Sequence, residues 1–253
     1  MSPRVLIFDI ERLPAWTKPI PIWSMKGLKY KYLTPNDIES WGRTICLAYK
    51  WGDEKKIHFI SEWSSGGREG FLKAAWDLLD EADVVVGHNM QDFDLPHLQG
   101  EFILEDMGLP SPVKVFDTLK VMRKHGNLEN NQLDTLDKRF GFSGKSDKYR
   151  IATAMGAVEG DEKLQREIER YNRGDIRATE RVYLRLRPAG SINLGVYFDD
   201  DEQRCPHCAS TKVQRRGVAV TGLGRYQRWH CQSCSGWSKG KKALSATTEG
   251  RPA

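Results

Sequence analysis

The chain has 253 residues, of which 39% are hydrophobic and 10% aromatic. This size allows one domain with a sizeable core plus a small appendage. The composition excludes an intrinsically disordered protein. No apolar run approaches the roughly 18–20 residues that span a membrane, and the apolar stretch near the N-terminus is too short for a signal peptide. We therefore expect a cytoplasmic protein.

Positive charge is concentrated at the C-terminal end. Residues 1–203 carry 29 Lys and Arg against 33 Asp and Glu, whereas residues 204–253 carry 10 against one. A basic appendage on a mildly acidic body favours a polyanionic partner, most often nucleic acid. Because basic surfaces are common, this pattern alone is weak support.

The first third of the chain predicts three strands. Residues 4–10 form a short apolar run typical of a buried strand, and residues 44–51 and 55–63 predict a hairpin. Residues 13–41 hold four prolines and no clear period, which predicts a long connection with local structure. Aromatic residues of this connection such as Trp23, Tyr30 and Trp41 could stack on unpaired bases, although filling of the core is the role expected for most of them.

Helices and strands then alternate. Apolar spacing predicts helices over residues 69–81, 94–107, 133–140 and 161–186, with another beginning at Asp117. Short apolar runs predict strands at 84–87 and 113–116. Residues 141–161 are polar and glycine-containing, and we expect a mobile basic loop there. This order favours a mixed α/β layer architecture.

Two carboxylates stand at the end of the first strand. Asp9 and Glu11 are two residues apart, so both side chains project from the same face of the strand. Neighbouring like charges repel unless a cation lies between them, which makes the pair a candidate divalent-metal site. The alternative is a strand that simply ends in solvent.

A second polar cluster follows the strand at 84–87, in the run Gly87-His-Asn-Met-Gln-Asp-Phe-Asp-Leu-Pro96. Asn89 and Asp94 lie at a turn from strand to helix, where they can point into a shared cleft. Asp92 and Asp94 compete for the role of ligand, and we expect Asp92 to cap the helix or face solvent.

The third cluster is Tyr171-Asn-Arg-Gly-Asp175, on the longest helix. Residues four apart share a helical face, so the Tyr171 hydroxyl and the Asp175 carboxylate lie side by side. In an isolated helix, a core tyrosine beside a surface aspartate would be the better explanation of the pattern. Gly174 costs about 1 kcal/mol in a helix relative to alanine, and we expect a packing or functional reason for it.

Together these motifs resemble the DEDD superfamily of 3′→5′ exonucleases, in its tyrosine-bearing branch. Phe8-Asp9-Ile10-Glu11 is similar to the first exonuclease motif, Asn89-x-x-x-Phe93-Asp94 to the second as found in family B DNA polymerases, and Tyr171-x-x-x-Asp175 to the third. The resemblance covers about residues 4–187 and implies a ribonuclease H-like mixed sheet flanked by helices. The run from Asn130 to Leu136 also resembles small predicted exonucleases of bacteria and bacteriophages.

The resemblance implies a metal-dependent phosphodiester hydrolase. Asp9, Glu11, Asp94 and Asp175 would hold two Mg²⁺ or Mn²⁺ ions, and Tyr171 would orient the attacking water. Asn89 and Phe93 would contact the nucleic acid, and the similarity to proofreading domains favours DNA over RNA. Two alternatives stay open: a structure-specific endonuclease on the same fold, and a non-catalytic replication adaptor.

The C-terminal segment contains Cys205, Cys208, Cys231 and Cys234 in the pattern C-x₂-C-x₂₂-C-x₂-C. This spacing predicts a zinc ribbon with one structural Zn²⁺. We expect a nuclease domain over residues 1–198, the ribbon over 199–243 and a disordered tail over 244–253.

Basic and aromatic residues are interleaved in the ribbon. Cations for phosphates and rings for bases are the composition of a nucleic-acid-binding surface. The alternative is a ribbon that docks on its own body or on a partner protein. The candidate nucleic-acid contacts are Arg215, Arg216, Arg225, Arg228 and Trp229.

Overall fold

The computed structural model describes residues 2–17, 21–22, 34–126, 128–144, 148–222 and 224–246. Trp23, Tyr30 and Lys145, which belong to the expected connection and basic loop, lie outside these residues. No helix in the described ranges is long and apolar enough to cross a membrane.

The described strands and helices follow the expected alternation. The strands are β1 (Val5–Leu13), β2 (Ala15–Thr17), β3 (Pro21–Ile22), β4 (Ile38–Ser40), β5 (Arg43–Trp51), β6 (His58–Ser61), β7 (Val84–Gly87), β8 (Lys114–Asp117), β9 (Val213–Thr221), β10 (Gly224–Cys231) and β11 (Trp237–Ala246). The helices are α1 (Arg68–Glu81), α2 (Asp94–Leu104), α3 (Thr118–His125), α4 (Leu133–Arg139), α5 (Ile151–Val158) and α6 (Glu162–Leu186).

The main sheet has five strands in the order β6-β5-β1-β7-β8. Strand β1 pairs antiparallel with β5 and parallel with β7, and β7 pairs parallel with β8. The hairpin expected from residues 44–51 and 55–63 is present as β5 and β6. The predicted ribonuclease H-like mixed sheet flanked by helices is therefore confirmed.

Helices cover both faces of this sheet. Side chains of β1 alternate between the two faces and so belong to two separate cores. Leu6, Phe8 and Ile10 belong to a buried cluster with residues of α1 and α2. Ile7, on the other face, belongs to a cluster with residues of α4 and α6. Since side chains alternate along a strand, Asp9 and Glu11 share the face of Ile7, towards α6.

The expectation of a loop over residues 141–161 is wrong for its second half, which forms α5. Ala154 and Ala157 are fully buried, in one cluster with Ile45 and Ile168. Glycine and polar residues of the whole stretch suggested a loop, but residues 151–158 are mostly apolar and include three alanines, and burial of this small-residue face against α6 and β5 stabilises the helix.

The long connection contains a small sheet of its own, in the order β3-β2-β4. Trp41, at the end of this connection, is 68% exposed and therefore does not fill the core.

The C-terminal strands form a third sheet, in the order β11-β10-β9. The cysteine-bearing end of this unit contacts the body: the Leu194 N–H donates to the Pro206 carbonyl at 2.7 Å, and Ala209 packs against the cluster that contains Tyr183. Strand β11 ends at Ala246, three residues beyond the expected ribbon, and the remainder of the expected tail lies outside the described residues.

A buried ion pair joins α4 to α6. The Asp137 side chain is fully buried and accepts two hydrogen bonds from the Arg181 guanidinium, at 2.7 and 2.5 Å. Removing one partner leaves a buried charge uncompensated.

We expect Arg181→Ala to lower the free energy of unfolding by about 3 kcal/mol, because it strands the Asp137 carboxylate. Arg185→Ala, at an exposed position of the same helix, should change it by less than about 0.5 kcal/mol. Urea denaturation followed by circular dichroism measures both, and equal effects would contradict a stabilising role for the pair.

Candidate functional site

Three carboxylates meet where β1 faces α6. The side-chain oxygens of Asp9, Glu11 and Asp175 lie within 4.8 Å of one another. Glu11 and Asp175 are 9% and 4% exposed, so the cluster is largely withdrawn from water. Three close carboxylates fit a hard divalent cation, because oxygen ligands suit such ions and a cation removes the repulsion among them.

Asn172 holds one of these carboxylates. Its amide nitrogen donates to Asp9 Oδ2 at 2.8 Å and to the Asp9 carbonyl at 3.2 Å, and the residue is fully buried. A neutral donor fixes the carboxylate without adding a competing positive charge. Asn172 was not predicted as a site residue. An asparagine on the buried face of the helix, beside Tyr171 and Asp175, nevertheless indicates a polar contact within the site.

Asp94 lies beside this cluster at the start of α2, outside the group of three. It is 3% exposed, and its Oδ1 accepts the Ile10 N–H at 3.1 Å, which ties α2 to β1. Burial raises the pKa of Asp94 to about 7; the Ile10 hydrogen bond opposes the shift and the neighbouring charges of Asp117 and Asp175 add to it. The structure thus places all four predicted carboxylates in one region, three of them in direct ligand reach.

Tyr171 borders the cluster. Burial raises the pKa of its hydroxyl far above the ordinary value, and the charge of Asp175 and a hydrogen bond with it act in the same direction. The hydroxyl is therefore a proton donor rather than a base at neutral pH. Its ring lies 6.2 Å from that of Tyr149, whose hydroxyl donates to the Arg12 carbonyl at 2.5 Å. Tyr149 falls within the stretch expected as a loop and was not predicted as a site residue.

Asp117 organises the loop that carries the second motif. Its carboxylate caps α3, as expected, by accepting the N–H groups of Leu119 and Lys120. It also accepts the N–H groups of Asn89 and Gln91, each at 3.1 Å. Asn89 has a φ of 66°, a left-handed conformation that asparagine tolerates better than most residues.

The remaining residues of this loop have clear positions. Asp92 is exposed and pairs with Lys120, which confirms the expectation of a solvent-facing side chain. Phe93 packs edge-on against His97, with ring centroids 4.8 Å apart. Asn89 also lines an open cavity of about 650 Å³ with Arg123 and several amide side chains.

Gly174 lies in α6, beside Asp175. A Cβ added at Gly174 would meet no described atom within 4 Å, so packing does not require this glycine.

The four cysteines of the ribbon converge as predicted, with all sulfurs within 4.8 Å of one another. The Cys205–Cys234 and Cys208–Cys231 sulfur pairs are each 3.6 Å apart, too far for a disulfide. Four sulfurs at about 2.3 Å from a tetrahedral zinc ion are about 3.8 Å apart. The cluster therefore fits a closed, structural Zn²⁺ site.

Backbone donors favour a thiolate at Cys231. The Ser233 N–H donates to Cys231 Sγ at 3.4 Å. Burial raises the pKa of Cys231, but N–H donation from Cys234 and Ser233 and hydrogen bonds with the Cys208 and Cys205 side chains lower it to about 7, whereas burial raises the pKa of Cys208 to about 11 and that of Cys205 further. A lowered pKa favours the deprotonated form that metals bind.

The candidate nucleic-acid contacts of the ribbon lie on β9 and β10. Arg215, Arg216, Arg225 and Arg228 are all exposed. The Arg215 guanidinium stacks over the Trp229 ring, 5.5 Å from its centroid.

The purified chain should contain one zinc ion, and Cys231→Ser should lose it. Metal binding supplies most of the folding energy of so small a unit, so protease cleavage should become fast between residues 204 and 246 and stay slow in the body. Elemental analysis and limited proteolysis test this, with Cys46→Ala as the control that keeps zinc. A zinc-loaded Cys231→Ser protein would contradict the assignment.

Asp94→Asn should stabilise the protein in the absence of added Mg²⁺ or Mn²⁺. The folded pKa of about 7 lies above the unfolded value of about 4, so this group's contribution to stability is present below pH 4 and is lost as pH rises towards and through 7. Melting temperatures of the zinc-loaded protein at pH 5 and pH 8 should therefore fall more with pH for the native chain than for Asp94→Asn. Parallel curves would contradict a raised pKa.

Comparisons with known proteins agree with this fold. Residues 37–187, more than half of the chain, match the RNase_H_2 family of the RNase_H superfamily. Among solved structures, the family B DNA polymerase from the hyperthermophilic archaeon Pyrobaculum calidifontis is similar over 88% of this chain, with a TM-score of 0.54 and 15% sequence identity. The similar part spans 32% of the polymerase chain, and at this identity the likeness establishes the fold alone. No curated protein matches. The family match and the fold together show that the chain belongs to the RNase_H superfamily.

Proposed function

We propose that this protein is a divalent-metal-dependent 3′→5′ exonuclease that hydrolyses phosphodiester bonds of DNA, at single strands or 3′ ends. The observation that carries the proposal is the convergence of Asp9, Glu11 and Asp175 within 4.8 Å, on a superfamily fold of nucleases. Asp94 and Tyr171 border the same cluster.

The carboxylates of Asp9, Glu11, Asp94 and Asp175 would hold two Mg²⁺ or Mn²⁺ ions. When bound, such a pair activates water and neutralises charge on the leaving oxygen. Asn172 keeps the Asp9 carboxylate oriented through its amide. Because burial raises the pKa of Asp94 to about 7, uptake of cations would be favoured as pH rises and this carboxyl loses its proton.

Tyr171 would orient the attacking water by donating or accepting a hydrogen bond. A hydroxyl whose pKa is raised by burial stays protonated, so it contributes positioning and not general base catalysis. Asn89 and Phe93, on the loop held by Asp117, are the proposed contacts to the strand near the reacting end.

The ribbon would grip the nucleic acid. Its strands β9 to β11 carry seven Lys and Arg residues and no Asp or Glu, which provides the phosphate-binding charge that a nuclease needs for affinity. Arg215, Arg216, Arg225, Arg228 and Trp229 remain the contacts proposed from the sequence.

A gel assay on 5′-labelled single- and double-stranded DNA and RNA tests the function. We expect a one-nucleotide ladder with Mg²⁺ or Mn²⁺ that EDTA stops, and no products from Asp94→Ala or Asp175→Ala. A substrate with a blocked 3′ end separates the alternatives, because an endonuclease still cuts it. Full activity of Asp94→Ala would overturn the proposed site, and complete inactivity of the native chain would favour an adaptor.

Tyr171→Phe should lower kcat by about 10–100-fold and leave measurable activity, the range found when a group that only orients the surroundings of a metal site is removed. The pH dependence of the residual activity should match that of the native enzyme, because the hydroxyl does not titrate in the working range. Initial rates between pH 6 and pH 9 measure both. A lost alkaline or acidic limb in the Tyr171→Phe profile would assign the hydroxyl a titrating role instead.

A further inference from the structure

The three-stranded sheet of the ribbon has two different faces. Opposed residues of antiparallel strands project on the same side, so the register of β10 with its neighbours assigns each side chain to a face. Arg228 opposes Lys239, and His230 opposes Trp237. Trp229 opposes Ser238 of β11 and Arg215 of β9, so these three side chains share the other face.

One face carries rings and cations in direct contact. The rings of His230 and Trp237 have centroids 4.5 Å apart, and the Arg228 guanidinium lies 5.0 Å from the Trp237 centroid. Lys239 Nζ lies 5.1 Å from the centroid of Tyr226. We call these five residues the ring–cation face. The opposite face carries a smaller set, the single pair of Arg215 and Trp229.

The ring–cation face is open to solvent. Trp237 is 51% exposed, and Arg228 and Lys239 are exposed. The contacts of the ribbon with the body come from its cysteine-bearing end, through Pro206 and Ala209. The body therefore leaves the Trp237 ring accessible to a partner.

The chemistry of the face selects its partner. The strands of the sheet hold no acidic residue, so a polyanion meets no repulsion there. Phosphate binding by itself requires only cations. Stacked rings add affinity when unpaired bases are available, and the guanidinium plane of Arg228 is a further stacking surface. A duplex keeps its bases stacked inside and cannot use them.

We propose that the ring–cation face binds single-stranded nucleic acid by stacking bases on Trp237, Arg228 and Tyr226, and so delivers an unpaired strand to the nuclease. This inference rests on the proposed function and narrows its substrate to unpaired strands. Arg215 and Trp229, predicted as contacts from composition, lie on the other face, where Arg215 adds charge for phosphates and the Trp229 ring lies against the Arg215 guanidinium and is not proposed to stack on bases.

The opposite face supplies a matched control, because Arg228→Ala/Trp237→Ala and Arg215→Ala/Trp229→Ala remove the same residue types from the two sides. Both are made in an Asp175→Asn background, so that the probe stays intact, and zinc content and circular dichroism check that each variant is folded. Fluorescence anisotropy then measures binding of a labelled 20-nucleotide oligothymidine, its RNA counterpart, a duplex of the same length and an abasic oligonucleotide.

We expect Arg228→Ala/Trp237→Ala to weaken binding of oligothymidine at least about tenfold, as loss of stacked bases does. Arg215→Ala/Trp229→Ala should weaken it less than about threefold, and the abasic strand should not distinguish the two variants. Equal losses in both variants, or abasic and duplex probes binding as tightly as oligothymidine, would overturn the proposal. The single exchanges Arg228→Ala and Arg215→Ala repeat the comparison if a tryptophan variant loses zinc.

Failure of this inference and failure of the proposed function give different results. Tight, face-dependent binding of single strands without any cleavage by the native chain would refute the nuclease and keep the binding face. Cleavage of oligothymidine at equal rates and with equal KM by the native chain and the Arg228→Ala/Trp237→Ala variant would refute the binding face and keep the nuclease.

Discussion

The alternation of side chains along β1 is the constraint on which the rest of the structure depends. Leu6, Phe8 and Ile10 enter one core, and the residues between them face α6. The strand is thereby fixed in register by burial on one side, because a shift by one residue would turn its apolar side chains towards the acidic cluster. The same register holds Asp9 and Glu11 opposite Asp175.

Holding acids in this way costs stability. Buried carboxylates of like charge repel, and part of the cost is avoided by the protonation of Asp94. Neutral hydrogen bonds from Asn172 and from the Ile10 N–H orient the carboxylates without neutralising them. An arginine in these positions would relieve the repulsion and would also occupy the place of a cation. The site is thus organised for cation binding at the expense of the cation-free fold.

Local patterns were enough to predict the strands and helices that carry the three motifs, because each has a clear period and clear ends. Long-range contacts were not predictable. Helix α5 owes its existence to Ala154 and Ala157 packing on α6, and Tyr149 reaches a carbonyl that is 137 residues away in sequence. The two faces of the ribbon depend on register shifts near Arg228 that composition cannot reveal. The positions of Asp9, Glu11, Asp94 and Asp175 followed from motifs, whereas the separation of Asp94 from the other three required coordinates.

Among the described strands, β9 and β11 form the two edges of the ribbon sheet. An unpaired edge with open backbone groups is a template for pairing with another copy of the chain, and lysines on an edge prevent this by electrostatic repulsion. Strand β11 carries Lys239, Lys241 and Lys242 along such an edge. The charges proposed to bind a polyanion would therefore also oppose pairing of this edge with another copy. High salt, acetylation or replacement of these lysines would weaken both effects together.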